Sequence, residues 1–369
     1  MDSGIITVFL AGDVMTGRGV DQVLPHPGDP QLREPWGDDA RAYVALAEAA
    51  NGPVPRPVDP AWPWGDALQI LDDAAPDLRV VNLETSVTAG GTFAPGKGIH
   101  YRMHPANIGC LTAAGLDACA LANNHVLDFG ISGLEDTLDT LHGAGLRTAG
   151  AGRDAEQAWR PAVLDTPRGR LQLWAVGMSS SGIPPASAAG PDRPGLAFLP
   201  EASDAAADLV AARVQAARAA DDLAVVSVHW GSNWGYAVPA SHIRFAHRLV
   251  DAGVDVVHGH SSHHPRPVEV YRGRPVLYGC GDLVNDYEGI SGYEQYRDDL
   301  RLLYLLTIDA RTHELRGLRM VPLQARRLRL ERAGAADAGW LHRILEDAAG
   351  GFGTRLEAAA DGSLSVRLS

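Results

Sequence analysis

The chain has 369 residues, 46% of them hydrophobic, a formal net charge of −13 and three cysteines. That apolar content predicts a folded chain with a substantial core, and the acidic balance, with no cluster of Lys and Arg, argues against a nucleic-acid surface. Cys110, Cys119 and Cys280 are too few and odd in number for a disulfide framework, and they lack the paired spacing of a zinc knuckle.

Taken in chain order, MDSGIITVFLAGDVM has no positively charged leader, and its apolar run is too short for a signal core or a membrane span. The expectation is a cytoplasmic protein without a membrane partner. GIITVFLAG reads as a buried first strand. A stretch rich in Pro, Gly and aromatics follows at residues 25–65, with Trp36, Trp62 and Trp64; a long loop in a compact domain is usually functional or disordered, and the tryptophans favour a wall or lid. LRVVNLE and DACALANN are the next strands. ISGLEDTLDTLHGAG predicts a helix with Ser132 as N-cap and Glu135 completing a capping box. LQLWAVGM, LAVVSVHWG and VDVVHGH are further strands, separated by the helical patterns SDAAADLVAARVQAARAADD and PASHIRFAHRLVDAG. VEVYRGRPVLYG and LLYLLTIDARTHELRGLRMVPL read as hairpins. In LQARRLRLER, Leu and Arg nearly alternate, which predicts the exposed face of a late strand. A helix and a short final strand complete the chain. The reading divides it into a main domain, 1–325, carrying the 25–65 insertion, and an appendage, 326–369. Strands alternating with helices predict a layered α/β fold.

Polar residues recur at the ends of the predicted strands. They are Asp13, Glu84, Asn124 with His125, His229, and then His260 and His263 within a run that also holds His258 and His264. Strand C-termini of a parallel sheet converge on one edge, where ligands bind. Taken singly, GD after a strand is a turn, NNH is a polar turn, and His229 is a hydrogen-bonded strand-end histidine. Taken together and in this order they point to a metal site, and mixed carboxylate, amide and imidazole donors suit a hard or borderline divalent ion, leaving manganese, zinc, iron and calcium open.

The ordered set GDVM, NLE, ANNHVLDFG, HWG, GHSSH and PVEVYRGRPVLYGCGDLV, from about Val8 to about Asp286, resembles the capsule-synthesis CapA family, a branch of the calcineurin-like metallophosphoesterases. The resemblance implies a sandwich of two mixed sheets flanked by helices. It also implies a two-metal centre with Asp13, Glu84, Asn124, His229, His260 and His263 as ligands, Glu84 bridging, and His125 beside the substrate. His258 and His264 would stand behind the ligands. This chain departs from the wider superfamily at Met15, where Asp-x-His would place a histidine, and from CapA relatives at GHSSH and at Cys280 and Asp282. Cys280 reads as a buried filler in preference to a reactive thiol.

Two metals can activate water against a phosphoryl group, or polarise a carboxylate so that its Cα–H ionises. The residues alone leave both open. With its tryptophan-rich insertion and altered final motifs, the chain also resembles the peptide epimerases of lasso-peptide biosynthesis. That resemblance implies a metal-dependent isomerase, free of organic cofactors, that inverts a C-terminal tryptophan of a precursor peptide. His125 would be one acid/base, with Asp282 or His264 opposite. Arg18 and Arg102 would hold the peptide, and Trp62 and Trp64, with Trp36, would wall an indole pocket. The alternatives are a metal-dependent phosphoesterase and a capsule or poly-γ-glutamate biosynthesis enzyme.

Overall fold

The computed structural model describes residues 4–368. Among them, a ten-stranded and a seven-stranded sheet carry the fold. The first begins with β1 (Ile5–Val14), β2 (Leu78–Leu83), β3 (Ala118–Ala120) and β4 (Arg147–Ala149), which lie parallel and in sequence order. The chain then crosses to the second sheet. There β5 (Ala162–Thr166), β6 (Gly169–Met178), β7 (Leu223–His229), β8 (Val256–His260), β9 (Val268–Tyr271) and β10 (Arg274–Leu277) stand in the order β5-β6-β7-β8-β10-β9. Strands β6, β7, β8 and β10 are parallel, with β5 and β9 antiparallel at the edges.

The chain returns to the first sheet with β11 (Asp282–Val284), parallel to β1, and β12 (Leu300–Asp309), antiparallel to it. β13 (Leu315–Ala325) pairs with β12, and β14 (Leu330–Arg332), β15 (Leu356–Ala358) and β16 (Leu364–Val366) extend the sheet from there. Residues beyond 325 therefore supply three strands to the sheet that holds β1.

The two-residue period of a strand sorts the side chains into layers. Ile6, Val8 and Leu10 of β1 face the core between the sheets, together with Leu171, Leu173 and Val225. Phe9 and Ala11 face the opposite way, toward Ile70, Leu134 and Leu138 of the covering helices Asp66–Ala74 and Gly130–Gly143. On the second sheet's outer face, Val226 and Val228 meet Val210, Phe245 and Leu249 of the helices Asp204–Ala217 and Ala240–Asp251. All seven residues of β7 are buried, as a parallel strand covered on both faces requires. The fold is the expected sandwich of two mixed sheets flanked by helices.

Two local expectations are corrected. The helix predicted to start at Ser132 starts at Gly130, with no side-chain cap, so Ser132 lies inside it. Gly130 adopts φ 71°, and its N–H donates to Leu127, a turn that delivers the chain into the helix earlier than the Ser/Glu pattern suggests. LQARRLRLER is not one strand: β13 stops at Ala325, the chain turns through Arg327 and Leu328 at φ 58° and 54°, and β14 resumes at Leu330. The insertion 25–65 holds a short hairpin, Gln31–Glu34 with Gly37–Asp39, and the helix Arg41–Asn51.

Candidate metal centre

The site is built where the parallel strands of both sheets end. Asp13 lies at a register irregularity of β1 against both β2 and β11, and such bulges re-aim a side chain. Its N–H donates to Gly281, while its carboxylate accepts from Asn82 at 2.7 Å and from the Ser261 N–H at 3.1 Å. Asn82 and Glu84 sit two residues apart at the end of β2, so both side chains turn to the same face, and Asn82 also reaches Glu84 at 3.4 Å.

From the second sheet, His229 ends β7 and His260 ends β8, and the two are paired across the parallel ladder. Their Nδ1 atoms stand 2.8 Å apart. The opposite nitrogens are anchored, His229 Nε2 on the Asn124 side-chain oxygen at 3.0 Å and His260 Nε2 on Ser227 Oγ at 2.7 Å. His260 Nδ1 lies 3.7 Å from Asp13, and His229 Nε2 lies 3.9 Å from Glu84. A second grouping shares Asp13: His263 Nδ1 is 3.0 Å from Asp282, and in each triad, Asp13–His229–His260 and Asp13–His263–Asp282, the donor atoms lie within 4.8 Å of one another. The residues of both triads, with Glu84 and Ser227, are buried, and Asn124 is half-buried.

The chemistry of this donor set fits divalent cations. Burial pushes Asp13 upward and the nearby Asp282 carboxylate adds to it; burial, then Asp13 and Asp282, push Glu84 up as well. Burial favours the neutral form of His229 and His260, the form in which imidazole ligates a metal. Three buried carboxylates crowded together concentrate negative charge, which also holds His263 above its ordinary range beside Asp282 and Asp13, and cations would relieve that crowding. Divalent ions are thus compatible with the cluster, which does not select among them.

His125 borders the same cluster. Its Nδ1 faces Asp128 at 2.7 Å, and its Nε2 points toward Glu84 at 3.7 Å. Burial pushes its imidazole down to about 4. Asp282 stands between His263 and Asn285, inside the second donor grouping. His264 turns away: Nδ1 meets the Pro265 carbonyl, Nε2 accepts from the Gly235 N–H, and the ring stacks on Tyr296. With both nitrogens engaged, it is not poised as an acid or base. His258 braces the site from behind, between the Ala11 carbonyl and Ser227. Cys280 is buried, its thiol raised by burial, as a filler would be.

A cavity of about 770 Å³ adjoins the cluster through His263 and is walled by Trp36, Tyr43, Trp234, Tyr287 and Tyr293. Arg18 lines it as well, but its guanidinium is already paired with Glu34 at 2.9 Å and with Asp286. Arg102 packs over Phe129 and bonds the Asp29 carbonyl, outside the cavity wall. Trp62 and Trp64 are not brought to the cavity. Trp64 is fully buried, donating to the Cys110 carbonyl at 2.7 Å, and Trp62 donates to the Arg327 carbonyl at 3.0 Å.

Sequence reasoning missed several residues. Asp128 lies three positions after His125, the spacing of one helical turn, which was a signal to follow. Lys97, the single lysine of the chain, contacts Asp128, the Asn124 carbonyl and His125 Nδ1. Ser227 and Asn285 carried no motif signal. No helix among the described residues is long and apolar enough to cross a membrane.

With this geometry established, relatives give it a setting. A "Probable polyglutamine synthesis accessory protein" of Mycobacterium tuberculosis is 52% identical over 98% of this chain and 96% of its own length. The "PGA biosynthesis protein CapA" of Bacillus subtilis is 26% identical, over 82% of this chain and 68% of that one. The crystal structure of a phosphatase from Mycoplasma pneumoniae covers 87% of this chain and 94% of its own at a TM-score of 0.45 and 12% identity, too distant to guide any chemistry. These relatives overturn the expectation of a lasso-peptide epimerase, and with it the isomerase class and the inversion of a C-terminal tryptophan, because they are named for polyglutamine and PGA synthesis. They accord with the capsule and polymer alternative. The description "Bacterial capsule synthesis protein PGA_cap" matches residues 7–287, and the chain belongs to that family.

Proposed function

We propose that this chain is a metal-dependent accessory enzyme of glutamine- or glutamate-polymer synthesis, hydrolysing an amide bond of the polymer at the Asp13 centre. The observation that carries the proposal is the sharing of Asp13 by two donor groupings beside one cavity. Bound there, divalent cations would supply Lewis acidity for a water and for the carbonyl under attack. The chain's residues do the remainder. Asp13, Glu84, Asn124, His229, His260 and His263 would hold the ions. Asp128 orients His125 through Nδ1, so that the unprotonated Nε2 faces the cluster and can take a proton from the attacking water and then pass it to the departing amine. The aromatic walls of the cavity exclude water on one side of the reacting bond.

The relatives' names support the polymer setting, and a cytoplasmic location remains part of the proposal, to be checked by cell fractionation. The test is to incubate manganese- or zinc-loaded protein with poly-γ-glutamate and with polyglutamine peptides and to count new amine ends. Release from a polymer, abolished by chelator and by Asp13→Ala, is expected. No amine release, together with chelator-sensitive phosphate release from an aryl phosphate, would move the reaction to phosphoesters.

A further inference from the structure

The two donor groupings differ in composition. Asp13 with His229 and His260 offers one carboxylate and two imidazoles, and Asn124 and Glu84 border it. Asp13 with His263 and Asp282 offers two carboxylates and one imidazole. Asp282 stands on the adjoining strand, paired in register with Asp13 across β1 and β11.

We infer that Asp282 is itself a metal ligand and that the centre has two unlike positions, one with two imidazoles and one with a single imidazole and two carboxylates. The geometry around Asp282 matches that of a held ligand. Its Oδ1 faces His263 Nδ1 at 3.0 Å, and its Oδ2 accepts from the Asn285 amide at 2.7 Å. Asn285 is fixed in turn by Arg301 at 2.8 Å, and Asn233 contacts the far nitrogen of His263 at 3.0 Å. Such outer contacts are what orient ligands in protein metal sites. An imidazole-rich position suits zinc, whereas a carboxylate-rich one suits manganese or magnesium. The centre is therefore built for a mixed pair of ions, with the oxygen-rich position beside the cavity that His263 lines.

The inference rests on the proposal that the site holds metal, and the experiment separates the two. Protein stripped with chelator is titrated with Zn²⁺ and then Mn²⁺, bound metal is counted by mass spectrometry after desalting, and Mn²⁺ is followed by electron paramagnetic resonance. Two equivalents are expected in the wild type, with zinc and manganese coexisting when both are supplied. Asp282→Ala is expected to keep the zinc and lose the manganese equivalent, and Asp282→Asn, of equal size, to weaken manganese by at least about tenfold with an unchanged melting temperature. Two full-affinity equivalents in both single variants would overturn the role of Asp282 and leave the proposed function intact. Two identical zinc ions that manganese never displaces would overturn the unlike positions. No metal bound by the wild type would overturn the metal centre itself.

Discussion

Gly12 lies against the carbonyl of Gly281 so closely that a Cβ added at Gly12 would stand 1.8 Å from that oxygen. The carbonyl also accepts the Asp13 N–H at 3.0 Å, so this contact sets where the shared carboxylate sits. Gly12→Ala is expected to push β1 from β11, costing about 2–3 kcal/mol in denaturant unfolding and lowering metal occupancy. Wild-type stability and occupancy in the variant would contradict it.

Ser227 serves two imidazoles at once, contacting His258 Nδ1 at 3.1 Å and His260 Nε2 at 2.7 Å. Ser227→Ala is expected to keep the fold and weaken metal binding about 10–100-fold, the usual cost of losing an outer contact. Competition with a fluorescent chelator reads this directly.

Asp128 is fully buried, and although burial alone would raise its carboxyl, His125 and Lys97 hold it below its ordinary range. Asp128→Asn takes away the charge but not the volume. Metal content is expected to stay constant while polymer hydrolysis falls about a hundredfold or more. A loss of metal instead would assign Asp128 a structural task.

His242 gives a pH dependence outside the metal cluster. Burial, then the Arg266 charge, press it from 6.5 to about 4, while the ring stacks on Trp230 with centroids 4.4 Å apart. Between those values the unfolded chain binds the extra proton, so the fold loses stability as pH falls from 6.5 to 4, and no more below that. The loss at pH 5 is about 2 kcal/mol. His242→Phe keeps the stacked ring and is expected to lessen the fall in stability between pH 7 and 5 by that amount, measured by denaturant titration.

Trp64 tests what the tryptophan-rich insertion does. Trp64→Phe leaves a gap and strands the Cys110 carbonyl, for an expected loss of about 2–4 kcal/mol with metal affinity unaltered. Weaker metal binding at constant stability would contradict the purely structural placement.

Much of this was legible before any coordinates. Buried strands with polar ends announce themselves through apolar runs, and parallel topology forces those ends together, so Asp13, Glu84, Asn124, His229, His260 and His263 could be named in advance. Asp282 could be named but not placed, because its nearness to Asp13 depends on β11 joining β1 from far along the chain. The tryptophans misled for a simpler reason: Trp62, Trp64 and Trp36 look alike in sequence, yet only tertiary packing buries Trp64, holds Trp62 half-buried against the Arg327 carbonyl and leaves Trp36 at the cavity. Ser132 and Glu135 fit a capping pattern that the Gly130 turn pre-empts. The function rested on resemblance, and there the nearer relatives point elsewhere.

β1 is joined on one side by β11 and β12, which reach it from far along the chain. Until they arrive, Asp13 has no Gly281 carbonyl to fix it and no Asp282 beside it. The setting of the shared carboxylate is therefore completed through contacts of very long loop closure, which are slow to form. The Asp282 grouping is thus complete only once β11 has docked on β1, so uptake of its ion reports closure of the first sheet.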